Sequence, residues 1–192
     1  ARNPLAYCAF TALKSNDSGC AVSLMDGYDD IIAALQDGAL DAALLPAQRL
    51  EALNADDYTV VAVTSYLNLV AVENGGSAAS LYDLKDRHIV MPGSVQDTPE
   101  MWMLSVLLSQ ADISANLAFE PDEVVRQRVR NGDFGMMILP IEQCAPVLLY
   151  ANQYRSCFNL AAQWSVLLGT QPPAGSCLIM RNACGEEKRA AI

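Results

Sequence analysis

NGDFGMMILP, residues 131–140, closes a helix-like stretch at a glycine and then runs apolar until a proline stops it. QDGALDAALLP, residues 36–46, has already made nearly the same move. In both, an Asp or Asn precedes the glycine, and the glycines, Gly38 and Gly132, are 94 positions apart. Upstream of the first, Tyr28, Ile31, Ile32 and Leu35 follow the i, i+3, i+4, i+7 spacing of one helix face. Upstream of the second, PDEVVRQRVRNG puts Pro121 near a helix start and sends Val124, Val125 and Val129 inward. Gly38 and Gly132 suit the left-handed position just past a helix end. The apolar runs 40–45 and 134–139 read as strands buried on both faces, as in sheets covered by helices.

The match extends outward. NPLAYCAFTALKSNDSGCAVSLMDG aligns in sense with TPEMWMLSVLLSQADISANLAFE: a helix opening with Pro in its first turn, a loop, then a short strand (AVSLM, NLAFE). Literal identity is low, since only Gly, Leu and Pro coincide between 29–46 and 123–140. The matched order of four elements is what predicts an internal repeat. Between the copies, YTVVAVTSY and LNLVAVE are β-rich, NGGSAAS is loose, and HIVM is a strand. PGSVQDTPE feeds a helix capped by Asp97 or Thr98, with Pro99 in its first turn. CAPVLLYANQY reads as a helix and SCLIMRNA as a late strand. Alternating strands and helices predict α/β with mostly parallel sheets.

The 192 residues are 52% hydrophobic and 18% charged, which suits one large or two small globular domains. No apolar run approaches the ~18–20 residues of a membrane span. A net charge of −10 opposes a nucleic-acid partner, because phosphates would be repelled. RQRVR, residues 126–130, is the densest basic stretch and reads as a solvated helix face. ARNPLAYCAF carries no basic patch followed by an apolar stretch, so no secretion signal is read in it. A processed protein would look the same. The six cysteines form no CxxC pair and no zinc spacing, leaving disulfides and redox compartment open. One histidine, His88, and no GxSxG, HExxH, P-loop or GxGxxG leave catalytic and metal residues unassigned.

In order, DGYDDIIAALQDGALDAALLP, VVAVTSYLNLVAVE, LYDLKDRHIVMPGSVQDTPEMWMLSVLL, VRNGDFGMMILPIEQ and AAQWSVLLGTQPPAGSCLIMR resemble the substrate-binding proteins of ABC importers. The branch resembled is the nitrate, sulfonate and taurine group, which includes binders of pyrimidine vitamin precursors. The resemblance covers roughly residues 3–182. It implies two Rossmann-like α/β lobes with mostly parallel sheets joined by crossing strands, the periplasmic-binding-protein-like fold. Lobe 1 would hold residues 1–66 and 152–192, and lobe 2 residues 67–151. It further implies a small organic or anionic solute held between the lobes and passed to an ABC permease. The protein would be an extracytoplasmic monomer, periplasmic or lipid-anchored at the cell surface, with no cofactor. Family members are longer, with a first strand ahead of the helix that begins near Pro4 and helices after Arg181. The first lobe therefore reads as truncated.

Ligands bind open α/β sheets at the carboxyl ends of parallel strands, so the resembled fold would put Pro46 and Pro140 on opposing walls of one site. A helix amino terminus suits an anion, so Ser94, Gln96 and Thr98 are candidate ligand donors, with ordinary capping as the plain reading. By the repeat, Asn3 does the same in the first lobe. Gln48 follows the first buried strand, where a simple turn is the alternative. Thr64, Ser65 and Tyr66 lie where the chain crosses, offering two hydroxyls and a flat amphipathic ring, or a merely polar hinge. Glu142 stands one place later than the Glu of the family motif. Trp164 resembles the family's tryptophan, against a packing role; Trp102 reads as core. Two other classes share the fold: an enzyme of pyrimidine or menaquinone cofactor synthesis, and the ligand-sensing effector domain of a regulator.

Overall fold

The computed structural model describes residues 21–141 and 154–185, the side chains of 154–157 excepted. Both repeated stretches fold as their spacing requires. Helix α1 (Tyr28–Gln36) buries Ile32 and Leu35, and strand β1 (Ala42–Pro46) follows. The second copy forms a helix at Asp122–Asn131 and a strand at Met136–Pro140. Gly38 has φ +79° and Gly132 φ +71°, backbone that a side chain makes costly. After Gly132 the chain closes a Schellman turn, Gly132 N–H donating to Val129 O and Asp133 N–H to Arg128 O. Val124, expected inward, is 41% exposed. Val125 and Val129, four apart, define the buried stripe, and Val124 is rotated off it.

The chain divides into two units, Ala1–Tyr66 with Ala174–Ile192, and Leu67–Pro173. The segment 152–173, expected in lobe 1, belongs to the second unit. The reason is pairing: strand β7 (Tyr154–Asn159) runs antiparallel to β3 (Leu69–Asn74), and helix α4 (Leu160–Leu168) buries Leu160 and Trp164 in the second unit's core.

In the second unit the remaining elements are β4 (His88–Pro92), α2 (Pro99–Gln110), β5 (Asn116–Glu120), α3 (the Asp122–Asn131 helix) and β6 (the Met136–Pro140 strand). The sheet order is β5-β4-β6-β3-β7. Strand β4 runs parallel to β5 and to β6, while β3 is antiparallel to β6 and β7. Side chains alternate between two cores. Leu69, Ala71, Ile89, Met91, Met136 and Ile138 point to the core that takes in α2 and α4; Val70, Val72, Val90, Met137 and Leu139 meet Val125 and Val129 of α3. With both faces covered, all five residues of β6 are buried.

In the first unit, β2 (Tyr58–Tyr66) and β8 (Ala174–Arg181) complete a three-stranded sheet, order β1-β8-β2, antiparallel throughout. The parallel pairing expected of the sheets is thus carried by β4 and its two neighbours. Helix α1 and the turn at Ala47–Ala52 cover one face, where Ala43, Leu45, Cys177 and Ile179 are buried. Cys177 is a free thiol whose pKa is pushed up by burial. Strand β2 leaves Val60, Val61, Val63 and Tyr66 exposed. AVSLM, residues 21–25, expected as a strand, is not one; Leu24 is 74% exposed. No strand among the described residues lies where it could pair.

The loop NGGSAAS is tied down at both ends. Buried Glu73, on β3, accepts from Ser77 N–H (2.9 Å) and Ala78 N–H (3.1 Å) and forms an ion pair with Arg87. Ser80 and Asp83 then make a capping box. Burial pushes the Glu73 pKa up, but the two backbone N–H groups and Arg87 outweigh it and hold it below the ordinary 4.5. A folded-state pKa below the unfolded one stabilises above the ordinary carboxylate range, and the gain is lost as pH falls through the folded value. Glu73→Gln should therefore cost about 1–3 kcal/mol near neutral pH. The deficit should shrink on acidification below pH 4.5, read by urea melts across pH; a deficit independent of pH would contradict the charge-assisted role. Gly132→Ala should cost about 1–2 kcal/mol in the same melts, from its left-handed φ.

Candidate functional site

The sheet register assembles the first-unit candidates. Ser176, at the start of β8, lies opposite Pro46 of β1 on one side and Ser65 of β2 on the other. Adjacent residues of a regular strand face opposite ways. The register of β2 slips between Val63 and Ser65, and this lets both Thr64 and Ser65 reach the same partner. Thr64 Oγ1 donates to Ser176 O (3.1 Å) and lies 2.9 Å from Ser176 Oγ, which is 2.6 Å from Ser65 Oγ. Ser176 is only 7% exposed, so these bonds satisfy a polar group that burial would otherwise penalise. Gln48 is exposed in the turn after β1, and Tyr66 is 43% exposed at the end of β2.

The cluster is neutral: hydroxyls that both donate and accept, with lone pairs to spare. It suits a hydrogen-bonding solute. The chain's single histidine, His88, begins β4 of the second unit. Ser176 was missed because SCLIMR carries only a strand signal; the pairing across 111 and 112 residues is visible in three dimensions alone.

In the second unit the carboxyl ends of β4 and β5 meet. A Cβ on Gly93 would stand 3.3 Å from Glu120 O, so the chain passes closely here. The donors expected to await an anion are already engaged. Ser94 N–H donates to Asp122 Oδ1 (3.1 Å) and Ser94 Oγ to Asp122 Oδ2 (2.7 Å). The protein's own carboxylate fills that position. Asp122 sits in the first turn of α3, where a negative charge is also favoured by the helix dipole. Thr98 stands at the N-cap of α2, yet its hydroxyl donates back to Val95 O (2.8 Å) and makes no side-chain cap. Gln96 is exposed beside it.

Trp164 packs. It is 7% exposed, its Nε1–H donates to Thr170 Oγ1 (3.1 Å), and its ring meets Trp102 at a centroid distance of 5.9 Å. Trp102 is 54% exposed, so it lies over the core's edge and not within it. Asn3 and Glu142 lie outside the described residues. Among the described residues no group of three His, Cys, Asp or Glu side chains is placed to hold a metal, and no helix is long and apolar enough to cross a membrane.

Asp122→Ala should release the Ser94 donors. We expect a stability loss of about 1–2 kcal/mol and a new sulfate-dependent chemical shift at the Ser94 amide. The original protein should show no such shift, and a response equal in both proteins would contradict the occupied-slot reading.

No family model and no curated protein matches the sequence. Solved structures do. An ABC transporter protein from Parabacteroides distasonis aligns at TM-score 0.60 and 16% identity, over 88% of this chain and 58% of that one. The chain thus spans less than two thirds of that relative's length. The second substrate-binding domain of Lactococcus lactis GlnP, in its open conformation, aligns at TM-score 0.64 and 11% identity, over 97% and 75%. The effector binding domain of a BenM variant aligns at 0.55 and 13%, over 97% and 85%. Likenesses at such low identity establish architecture: the chain has the mixed α/β, periplasmic-binding-protein-like fold.

Proposed function

We propose that this chain is the solute-binding component of an ABC importer, working outside the cytoplasm and delivering its solute to a membrane permease. The observation that carries the reading is the repeated helix–glycine–strand–proline module, once in each unit, with polar groups gathered where β1 ends in the first unit and where β4 and β5 end in the second. In this reading the solute-binding groups are Thr64, Ser65, Tyr66, Ser176 and Gln48 in the first unit and the Ser94–Asp122 turn with Gln96 and Thr98 in the second. Asn3, Pro46, Glu142 and Trp164 complete the candidate set.

The motif order supports the nitrate, sulfonate and taurine branch. The chemistry of the two candidate clusters narrows the solute. Because Asp122 already satisfies Ser94, an anionic group is better received by the hydroxyl cluster, where donors can be turned toward it. The Asp122 side favours a neutral or N–H-bearing group. A small organic molecule with one acceptor-rich end meets both conditions, and Ser176 and its partners are the groups that would orient it.

The likeness to an effector binding domain keeps one second reading, a ligand-sensing domain that binds its inducer in the corresponding place. Both readings are tested by a thermal-shift panel of sulfonates, nitrate, pyrimidines and flavins. A ligand at 100 times its dissociation constant stabilises by about 2.7 kcal/mol. For a ligand so found, Ser65→Ala should weaken binding roughly fivefold, the worth of about 1 kcal/mol for one hydrogen bond, measured by calorimetry. Turnover of a panel compound, or binding unaffected by changes at both clusters, would refute the solute-binding reading. Copurification with a permease favours the importer over the sensor.

A further inference from the structure

Strand β8 carries Ser176 near one end and Arg181 at the other. At about 3.3 Å per residue the two stand about 17 Å apart. At the Arg181 end, Gln36, Asn54, Asp57, Tyr58, Arg181 and Asn182 line a cavity of about 350 Å³, and all six belong to the first unit. Backbone pairing draws them together. Arg181 N–H donates to Asp41 O (2.9 Å) just ahead of β1, and Asn182 N–H to Asp57 O (2.8 Å) just ahead of β2.

Part of the lining is already bonded. Asn182 Oδ1 accepts from Thr59 Oγ1 (2.6 Å), and its Nδ2 donates to Asp56 O (2.9 Å). Asn54 Nδ2 donates to Asp57 Oδ2 (2.9 Å), and its Oδ1 accepts from Asp56 N–H (3.3 Å). The Arg181 guanidinium is different. Its residue is half-buried, yet among the described residues it makes no hydrogen bond and no ion pair. Arg49, Arg87, Arg126 and Arg128 each pair with a carboxylate, while Lys85 and Arg130 are exposed to water. The guanidinium lies against the bare backbone of Gly38, where a Cβ would come within 2.7 Å of Nη1. The end of α1 favours a cation there, but no cap is needed. The carbonyls of Ala33, Ala34 and Leu35 already accept from the N–H groups of Asp37, Leu40 and Gly38.

Tyr58 of β2 is the cross-strand partner of Arg181. Directly opposed residues hold their side chains on one face, about 5 Å apart at Cβ. The Tyr58 hydroxyl also has no partner among the described residues. We propose that this cavity binds a small organic carboxylate, received by the planar fork of Arg181 and by the Tyr58 hydroxyl. A guanidinium matches a carboxylate through two parallel N–H bonds. The volume is about that of ten waters at about 30 Å³ each, more than a bare inorganic ion fills. Asp57, in the same lining, opposes a doubly charged phosphate more than a singly charged carboxylate. The site stands independently of the hydroxyl cluster at the other end of the sheet.

Amide chemical shifts test it, with butyrate and benzoate as probes against phosphate and sulfate at constant ionic strength. We expect saturable shifts at Gly38, Tyr58 and Asn182 with a carboxylate. Arg181→Gln should weaken that response roughly tenfold or more, the loss of a charge-assisted pair, while any response at Ser65 and Ser176 keeps its affinity. Should that variant misfold, two others carry the test: Tyr58→Phe should weaken binding roughly fivefold, and Asp57→Asn should strengthen it about twofold. The proposal is overturned by the absence of a saturable shift with either carboxylate, or by a response that survives Arg181→Gln or, if that variant misfolds, Tyr58→Phe. Phosphate or sulfate binding as tightly as the carboxylates, an adventitious ion only, overturns it equally.

Discussion

The second unit depends on one constraint: its central strands must be apolar on both faces, because helices press on both. Leu69 to Val72 and Met136 to Leu139 alternate between two cores, and no position is free to carry a polar side chain. Polar function is thereby pushed to the strand ends, where prolines stop the ladder and turns begin. At one such end Glu73 marks the limit, a buried charge admitted only because two backbone N–H groups and Arg87 answer it. At the other lie the turns of Ser94 and Asp122.

The repeat was legible in the sequence because it rests on local physics. Gly38 and Gly132 announce left-handed turns, and the runs behind them announce burial. What could not be read was anything set by partners distant in the chain. AVSLM has the composition of a strand but lacks a neighbour, and composition says nothing of neighbours. Val124 and Val125 are equally apolar, and only packing against the sheet chooses between them. The sequence reads the return from the second unit near residue 152, but β7 pairing with β3 and then α4 packing into the core keep the chain there until Pro173.

The polar candidates divide in the same way. Thr64 and Ser65 were found from their place at a crossing, yet Ser176, which joins them, gave no sign beyond a strand beginning with serine. Ser94 was found from its place before a helix, but its meaning changed once Asp122 was seen to occupy it. A chain so acidic supplies its own anions, and a donor turn is as readily answered from within as by a solute. Trp164 shows the opposite case, a large ring drawn inward by the area it buries.

Among the described residues the first unit has a sheet of three strands to the second's five, and Cys177 sits on the central one, 3% exposed, its thiol pKa raised by burial. Thiolate is the reactive form, so alkylation at this residue must wait until the three strands separate. The rate at which Cys177 takes up an alkylating reagent under native conditions is then a clock for the opening of this sheet alone, built into the chain without any added label.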